Sequence, residues 1–129
     1  MSAVVLDASA LLVLLHDEPG ADVVAAALTD ARMSSVNYAE VVSHFIHNAM
    51  PEDRIDAMLR PLPIAIIAAD RALAMMAGGL RAVTASAGLS LGDRFCLALA
   101  RRDGLPALTA DRKWRDVAQA ASVTVSVIR

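Results

Sequence analysis

Short apolar runs alternate with helix-forming stretches along the whole chain, and that alternation admits few folds. Residues 3–6 read as a first strand. Residues 9–16 read as a short helix stopped by Glu18-Pro19-Gly20, and 21–28 as a second helix. A short strand is expected at 32–34. Residues 37–50 carry a helical core stripe of Tyr38, Val41, Val42, Phe45 and Ala49. Pro51 starts a further helix with Glu52 and Asp53 in its first turn, and Pro61 and Pro63 end it. A third strand is expected at 64–67 and a long helical stretch at 69–87, bent or divided by Gly78-Gly79. Then follow a helix at 93–103, a Gly104–Pro106 turn, a strand at 107–109, a helix at 112–120 and a strand at 123–127. Strands separated by helices imply an α/β fold with a parallel sheet and right-handed crossovers. In such sheets functional groups collect past the carboxyl ends of the strands.

The 129 residues suit one domain, 1–129, and a 57% hydrophobic content with mean hydropathy +0.51 supplies a core. Aromatic residues make up 3% of the chain, so a base-stacking platform is excluded. The apolar run at 8–15 is too short to span a bilayer, and no basic residue precedes it, so neither a membrane anchor nor an export signal is expected and the cytoplasm is the expected compartment. Cys96 is the single cysteine, which excludes an intramolecular disulfide and a cysteine-based zinc cluster. The formal net charge of −2 argues against tight, purely electrostatic nucleic-acid binding. If four acids are sequestered around metal ions, the remainder carries +2, nearly all of it from Arg, so RNA stays open as a substrate.

Four acids stand where a metal site wants them. Asp7 closes the first strand, Glu40 lies about one turn into its helix, Asp93 opens a helix, and Asp111 follows the fourth strand by two residues. Carboxylates converging from separate elements repel unless cations neutralise them. Oxygen donors without Cys or His suit Mg²⁺ or Mn²⁺, which can serve phosphodiester hydrolysis. Each acid also has an ordinary reading. Ser90 and Asp93 fit a capping box, Asp7 and Asp111 fit helix caps, and Glu40 fits a solvated helix face.

The ordered motifs Val4-Val5-Leu6-Asp7-Ala8-Ser9-Ala10-Leu11, Asn37-Tyr38-Ala39-Glu40-Val41, Leu91-Gly92-Asp93 and Leu108-Thr109-Ala110-Asp111-Arg112-Lys113-Trp114 give the chain its resemblance to PIN-domain nucleases. Within these it most resembles VapC toxins of VapBC toxin–antitoxin modules, over essentially its whole length. The resemblance implies a PIN-like three-layer fold, a central parallel sheet flanked by helices. It implies endoribonuclease activity dependent on Mg²⁺ or Mn²⁺, a homodimer, and a VapB-like antitoxin that blocks the acidic pocket and carries any contact with promoter DNA. By position Asp7, Glu40, Asp93 and Asp111 match the family's acidic quartet, and Ser9 and Thr109 match supporting hydroxyls.

Asn37, three residues before Glu40, shares a helix face with it and either holds that carboxylate or caps the helix. Asp116 is an outer ligand or a solvated acid. Arg94 and Arg112 each follow a quartet acid and either contact substrate phosphate or inhibitor carboxylates, or have no role. His16, His44 and His47 show no ligand spacing. Cys96 reads as a buried hydrophobe and Trp114 as a packing anchor. The alternative to a nuclease is a PIN-like binding protein that acts with an antitoxin on promoter DNA.

Overall fold

The computed structural model describes residues 3–129. Five strands, β1 (Val4–Leu6), β2 (Ala31–Ser34), β3 (Ala65–Ile67), β4 (Ala107–Thr109) and β5 (Val125–Val127), form one sheet in the order β3-β2-β1-β4-β5. Every pairing is parallel. Eight α-helices connect them: α1 (Ala8–Leu15), α2 (Ala21–Ala27), α3 (Ser35–His47), α4 (Glu52–Leu59), α5 (Arg71–Gly79), α6 (Arg81–Thr84), α7 (Leu91–Asp103) and α8 (Ala118–Ala121).

Successive strand residues point to opposite faces of a sheet, and β1 shows the result. Val5 joins a core with Leu73, Leu99, Trp114 and Val117, from α5, α7 and the C-terminal region. Val4 and Leu6 join a second core with Leu11, Val24, Val41 and Ile55, from α1 to α4. The two cores give the expected three layers, with β1 buried on both sides as all-parallel sheets require. Among the described residues no helix is long and apolar enough to cross a membrane.

Where boundaries depart from the sequence reading, local chemistry explains the shift. Helix α7 begins at Leu91, two residues early, because Ser90 and Asp93 form a complete capping box. Asp70 accepts from the Leu73 amide and sets the start of α5, and Gly78 and Gly79 close it before the chain resumes as α6. Residues 112–120 are not one helix. A 3₁₀ segment, Arg112–Asp116, precedes the short α8. Trp114 and Val117 are both buried, and a three-residue turn eclipses such a pair. In α3 the buried stripe is Asn37, Val41 and Phe45. Ala49 lies past the end of the helix, exposed, with φ 65°.

The connections explain where a site belongs. The chain steps from β1 outward through β2 to β3, then returns to the other side of β1 for β4 and β5. The order therefore reverses between β1 and β4, and ligands bind open α/β sheets in the crevice beyond the strand ends at such a point. Asp7 directly follows β1, and Thr109 ends β4. The packing also makes a prediction. Trp114 is fully buried, so Trp114→Ala should lower unfolding free energy by about 3–5 kcal/mol in urea titration. Met75 is 76% exposed, and Met75→Ser should change it by less than about 0.5 kcal/mol.

Candidate active site

Asp7 occupies the N-cap position of α1, yet its side chain makes no cap bond. The carboxylate is 4% exposed and is used across the switch point instead. Ser9 Oγ donates to its Oδ2 at 2.6 Å, and Thr109 Oγ1 donates to the same oxygen at 3.0 Å. Ser9 Oγ in turn accepts from the Ala110 amide, and Thr109 Oγ1 from the Asp111 amide. The two hydroxyls stand 3.2 Å apart. They thus tie the ends of β1 and β4 together through one carboxylate oxygen.

Glu40 approaches from α3. Asn37, fully buried, donates its Nδ2 to Glu40 Oε1 at 2.8 Å and to the Gly92 carbonyl at 2.9 Å. The second bond locks α3 to the first turn of α7. A side chain at Gly92 would occupy the space of the Glu40 carboxylate, since a Cβ there would lie 2.6 Å from Oε1 and closer still to Oε2. Asp93, the next residue, accepts from the Ser90 amide at 2.8 Å through Oδ2. Capping and site roles are compatible because a carboxylate has two oxygens. In Asp7, Glu40 and Asp93 alike, one oxygen is fastened by the protein and the other carries no protein hydrogen bond among the described residues.

Electrostatics places these three acids at one centre. Burial pushes the Asp7 carboxyl up to about 6, opposed by its bonds from Ser9 and Thr109 and reinforced by the charges of Asp93 and Glu40. Burial also raises Glu40, with Asn37 opposing and Asp93 reinforcing. Cys96 is fully buried, which drives its thiol well above the usual value, and the charges of Asp7, Asp93 and Glu40 add to the effect. It is an inert packing group beneath the acids.

Asp111 is tied to Thr109 through its amide, and its carboxylate engages Lys113. Oδ1 accepts from the Lys113 amide at 3.0 Å, and Oδ2 lies 3.8 Å from Lys113 Nζ. Asp116 is exposed at the end of the 3₁₀ segment. Arg94 is buried, with no partner for Nε. Arg112 is exposed, and its Nε donates to the Arg129 carbonyl at 3.3 Å. Among the described residues neither arginine forms an ion pair. His44 is half-buried and lines, with Glu40, Ser43 and His47, a shallow hollow beside the centre. Gly92 is the residue whose role spacing did not reveal. Its signal was its place directly before Asp93.

Among the described residues no three His, Cys, Asp or Glu side chains surround a single point at ligand distance. The donor set nevertheless fits a hard cation. Mg²⁺ keeps several waters and takes one or two carboxylates plus substrate phosphate, in place of an all-protein cage. Three mutually repelling carboxylates, each with an oxygen to spare, are a fit for that mode of binding.

Comparison with known proteins places the chain. Its backbone matches VapBC from Salmonella typhimurium, in a DNA-bound crystal structure, with a TM-score of 0.74 at 16% identity over 98% of both chains. It matches FitAcB from Neisseria gonorrhoeae at TM-score 0.69 and 20% identity over 95% of each chain. VapBC2 from Rickettsia felis, bound to a DNA fragment from its promoter, gives 0.69 at 13% identity over 96% of this chain and 97% of that one. No curated protein sequence matches significantly. The sequence pattern of the PIN domain matches residues 4–120, nearly the whole length, and the chain belongs to the PIN domain family.

Proposed function

We propose that this chain is a metal-dependent endoribonuclease, the toxin of a type II toxin–antitoxin module acting in the cytoplasm. The observation that carries the reading is the centre at the β1/β4 switch point, where Asp7, Glu40 and Asp93 each keep one oxygen unbonded. These three would hold Mg²⁺ or Mn²⁺, with Asp111 joining by turning away from Lys113. A divalent cation bound there supplies charge neutralisation at the phosphoryl oxygens and activates water.

The chain's own residues do the positioning. Ser9 and Thr109 hold Asp7 through Oδ2 and leave Oδ1 without a protein hydrogen bond among the described residues. Asn37 does the same for Glu40, and the Ser90 amide for Asp93. Such outer partners orient ligating groups and are worth about 10–100-fold in affinity or activity. Arg94 and Arg112 are the candidates for contact with RNA phosphate or with an inhibitor's carboxylates. A chain of net charge −2 holds RNA weakly by charge alone, so chemistry at the centre must follow a short-lived encounter. The complexes among its structural relatives support a VapB-like antitoxin as partner, with promoter DNA contacted through that partner, and the family resemblance supports a homodimer. DNA in those complexes also motivates the second reading, a binding protein with little nuclease activity. Partner-dependent DNA retardation without metal-dependent RNA cleavage would select it.

RNA should be cut with Mg²⁺ or Mn²⁺ and not with EDTA. Asp7→Asn and Asp93→Asn should each lose more than the ~10–100-fold expected for Asn37→Ala. Cleavage that persists in both acid variants, measured on a gel with labelled RNA, contradicts the proposal. Gly92→Ala should impair activity by displacing Glu40, and the shorter acid in Gly92→Ala/Glu40→Asp should recover part of the loss, which kcat and Mn²⁺ affinity would show.

The charge on Asp7 also predicts a pH dependence. Its folded pKa of about 6 lies above the ordinary 3.8, so the stability it contributes is complete below pH ~4 and disappears as pH rises through 6. Without divalent cations, Asp7→Asn should therefore gain about 3 kcal/mol on the unsubstituted protein between pH ~4 and ~7, at 1.36 kcal/mol per unit. Saturating Mg²⁺ should remove most of that gain. Urea unfolding at both pH values, with and without the ion, checks it.

A further inference from the structure

His16 and His44 lie outside the acidic centre and have no part in its chemistry. Their Nε2 atoms stand 3.0 Å apart on the protein surface, across the seam between α1 and α3. We propose that this pair is a second metal site, selective for a borderline transition cation such as Ni²⁺, Cu²⁺ or Zn²⁺.

Three observations carry the assignment. The first is electrostatic. His16 is the C-cap of α1, and His44 lies in the last turn of α3. Two helix C-termini, each bearing partial negative charge, therefore meet at the pair and favour a cation. An anionic ligand is disfavoured for the same reason. The second is preorganisation. Phe45 is buried and packs edge-on against His44 at 5.1 Å between ring centres, and tilted against His16 at 5.5 Å. The rings are thus held by a fixed neighbour. The third is ligand geometry. Nitrogens 3.0 Å apart and each about 2.0–2.1 Å from one ion subtend roughly 90–95° at it. That is a cis pair of an octahedral or tetragonal site, the preference of Ni²⁺ and Cu²⁺, and a tetrahedral Zn²⁺ is accommodated by a slight opening.

As they stand, the two nitrogens share one proton in an N–H···N hydrogen bond. Binding moves that proton to Nδ1 of the same ring through solvent, so both neutral imidazoles present a lone pair and no net proton is released. A small rotation of the rings, which meet at 71°, aims both lone pairs at the ion. No third His, Cys, Asp or Glu among the described residues closes the site. Water fills the other positions, and the ion exchanges freely. Imidazole ligands separate this site from the all-oxygen centre, which suits Mg²⁺ or Mn²⁺. An ion here would fasten the C-terminal end of α1, whose N-terminus begins at Asp7, to α3 one turn beyond Glu40.

The test is calorimetric titration of tag-free protein with NiCl₂, alongside NMR of its histidine rings. With the acidic centre occupied by excess Mg²⁺ throughout, one equivalent should bind at the pair. His16→Gln and His44→Gln should each weaken binding by about tenfold or more, whereas His47→Gln and Asp93→Asn should leave it within about twofold. Paramagnetic broadening in the unsubstituted protein should reach the His16 and His44 resonances first. The proposal is overturned if either His16→Gln or His44→Gln keeps full affinity, if Asp93→Asn weakens binding as much, or if broadening begins elsewhere. None of these outcomes depends on whether the chain cleaves RNA.

Discussion

Asp7 is a carboxylate closed off from water, with two hydroxyls on one oxygen and two other acids nearby. Burying such a group costs free energy unless its charge is matched, and the surrounding structure offsets only part of that cost. Ser9 and Thr109 spend their hydroxyls on it, and through it β1 and β4 are bridged beyond their backbone ladder. The two apolar layers hold β1 in the middle of the sheet, so the acid at its end cannot swing out to solvent. A stable fold here keeps a costly group in place, a pattern found where chemistry is demanded of a site.

Much of this was legible in the residues themselves. The alternation of apolar runs with helical stretches gave the parallel order, and the turn glycines and prolines punctuated it at the right places. Ser9 and Thr109 were marked as supporting hydroxyls by the family resemblance, and the structure puts both on one oxygen of Asp7. The three-residue separation of Asn37 and Glu40 left a carboxylate partner or a helix cap open, and the structure selects the first, Ser34 being the cap. What the sequence hid was mostly non-local. Nothing in the spacing of residues 37, 40 and 92 shows that an amide side chain spans two helices, or that a methyl group at position 92 would displace a carboxylate. Short-range competition was equally hidden. The 3₁₀ geometry at Arg112–Asp116, with Trp114 and Val117 both in the core, is not signalled by helix propensity.

The acids illustrate why a local and a catalytic reading need not compete. Asp93 completes the capping box that Ser90 opens on α7, and Asp111 caps the 3₁₀ segment. Each cap bond uses one oxygen. In Asp93 the bond to the Ser90 amide fixes the rotamer and leaves the remaining oxygen aimed by the backbone. Asp111 differs, because both its oxygens are drawn towards Lys113. The family assignment and the fold of relatives below 25% identity are consistent with this economy. At 16–20% identity these relatives share the fold with this chain.

The bridge from Thr109 to Asp7 spans 102 residues. Loop closure over such a distance comes late in folding, after the local helices have formed. During synthesis the first strand therefore leaves the ribosome long before its partner exists, and its acid waits in a half-built cleft. The cleft is completed only when the fourth strand slots in beside the first. Until then the Asp7 carboxylate lacks one of the two hydroxyls that hold it.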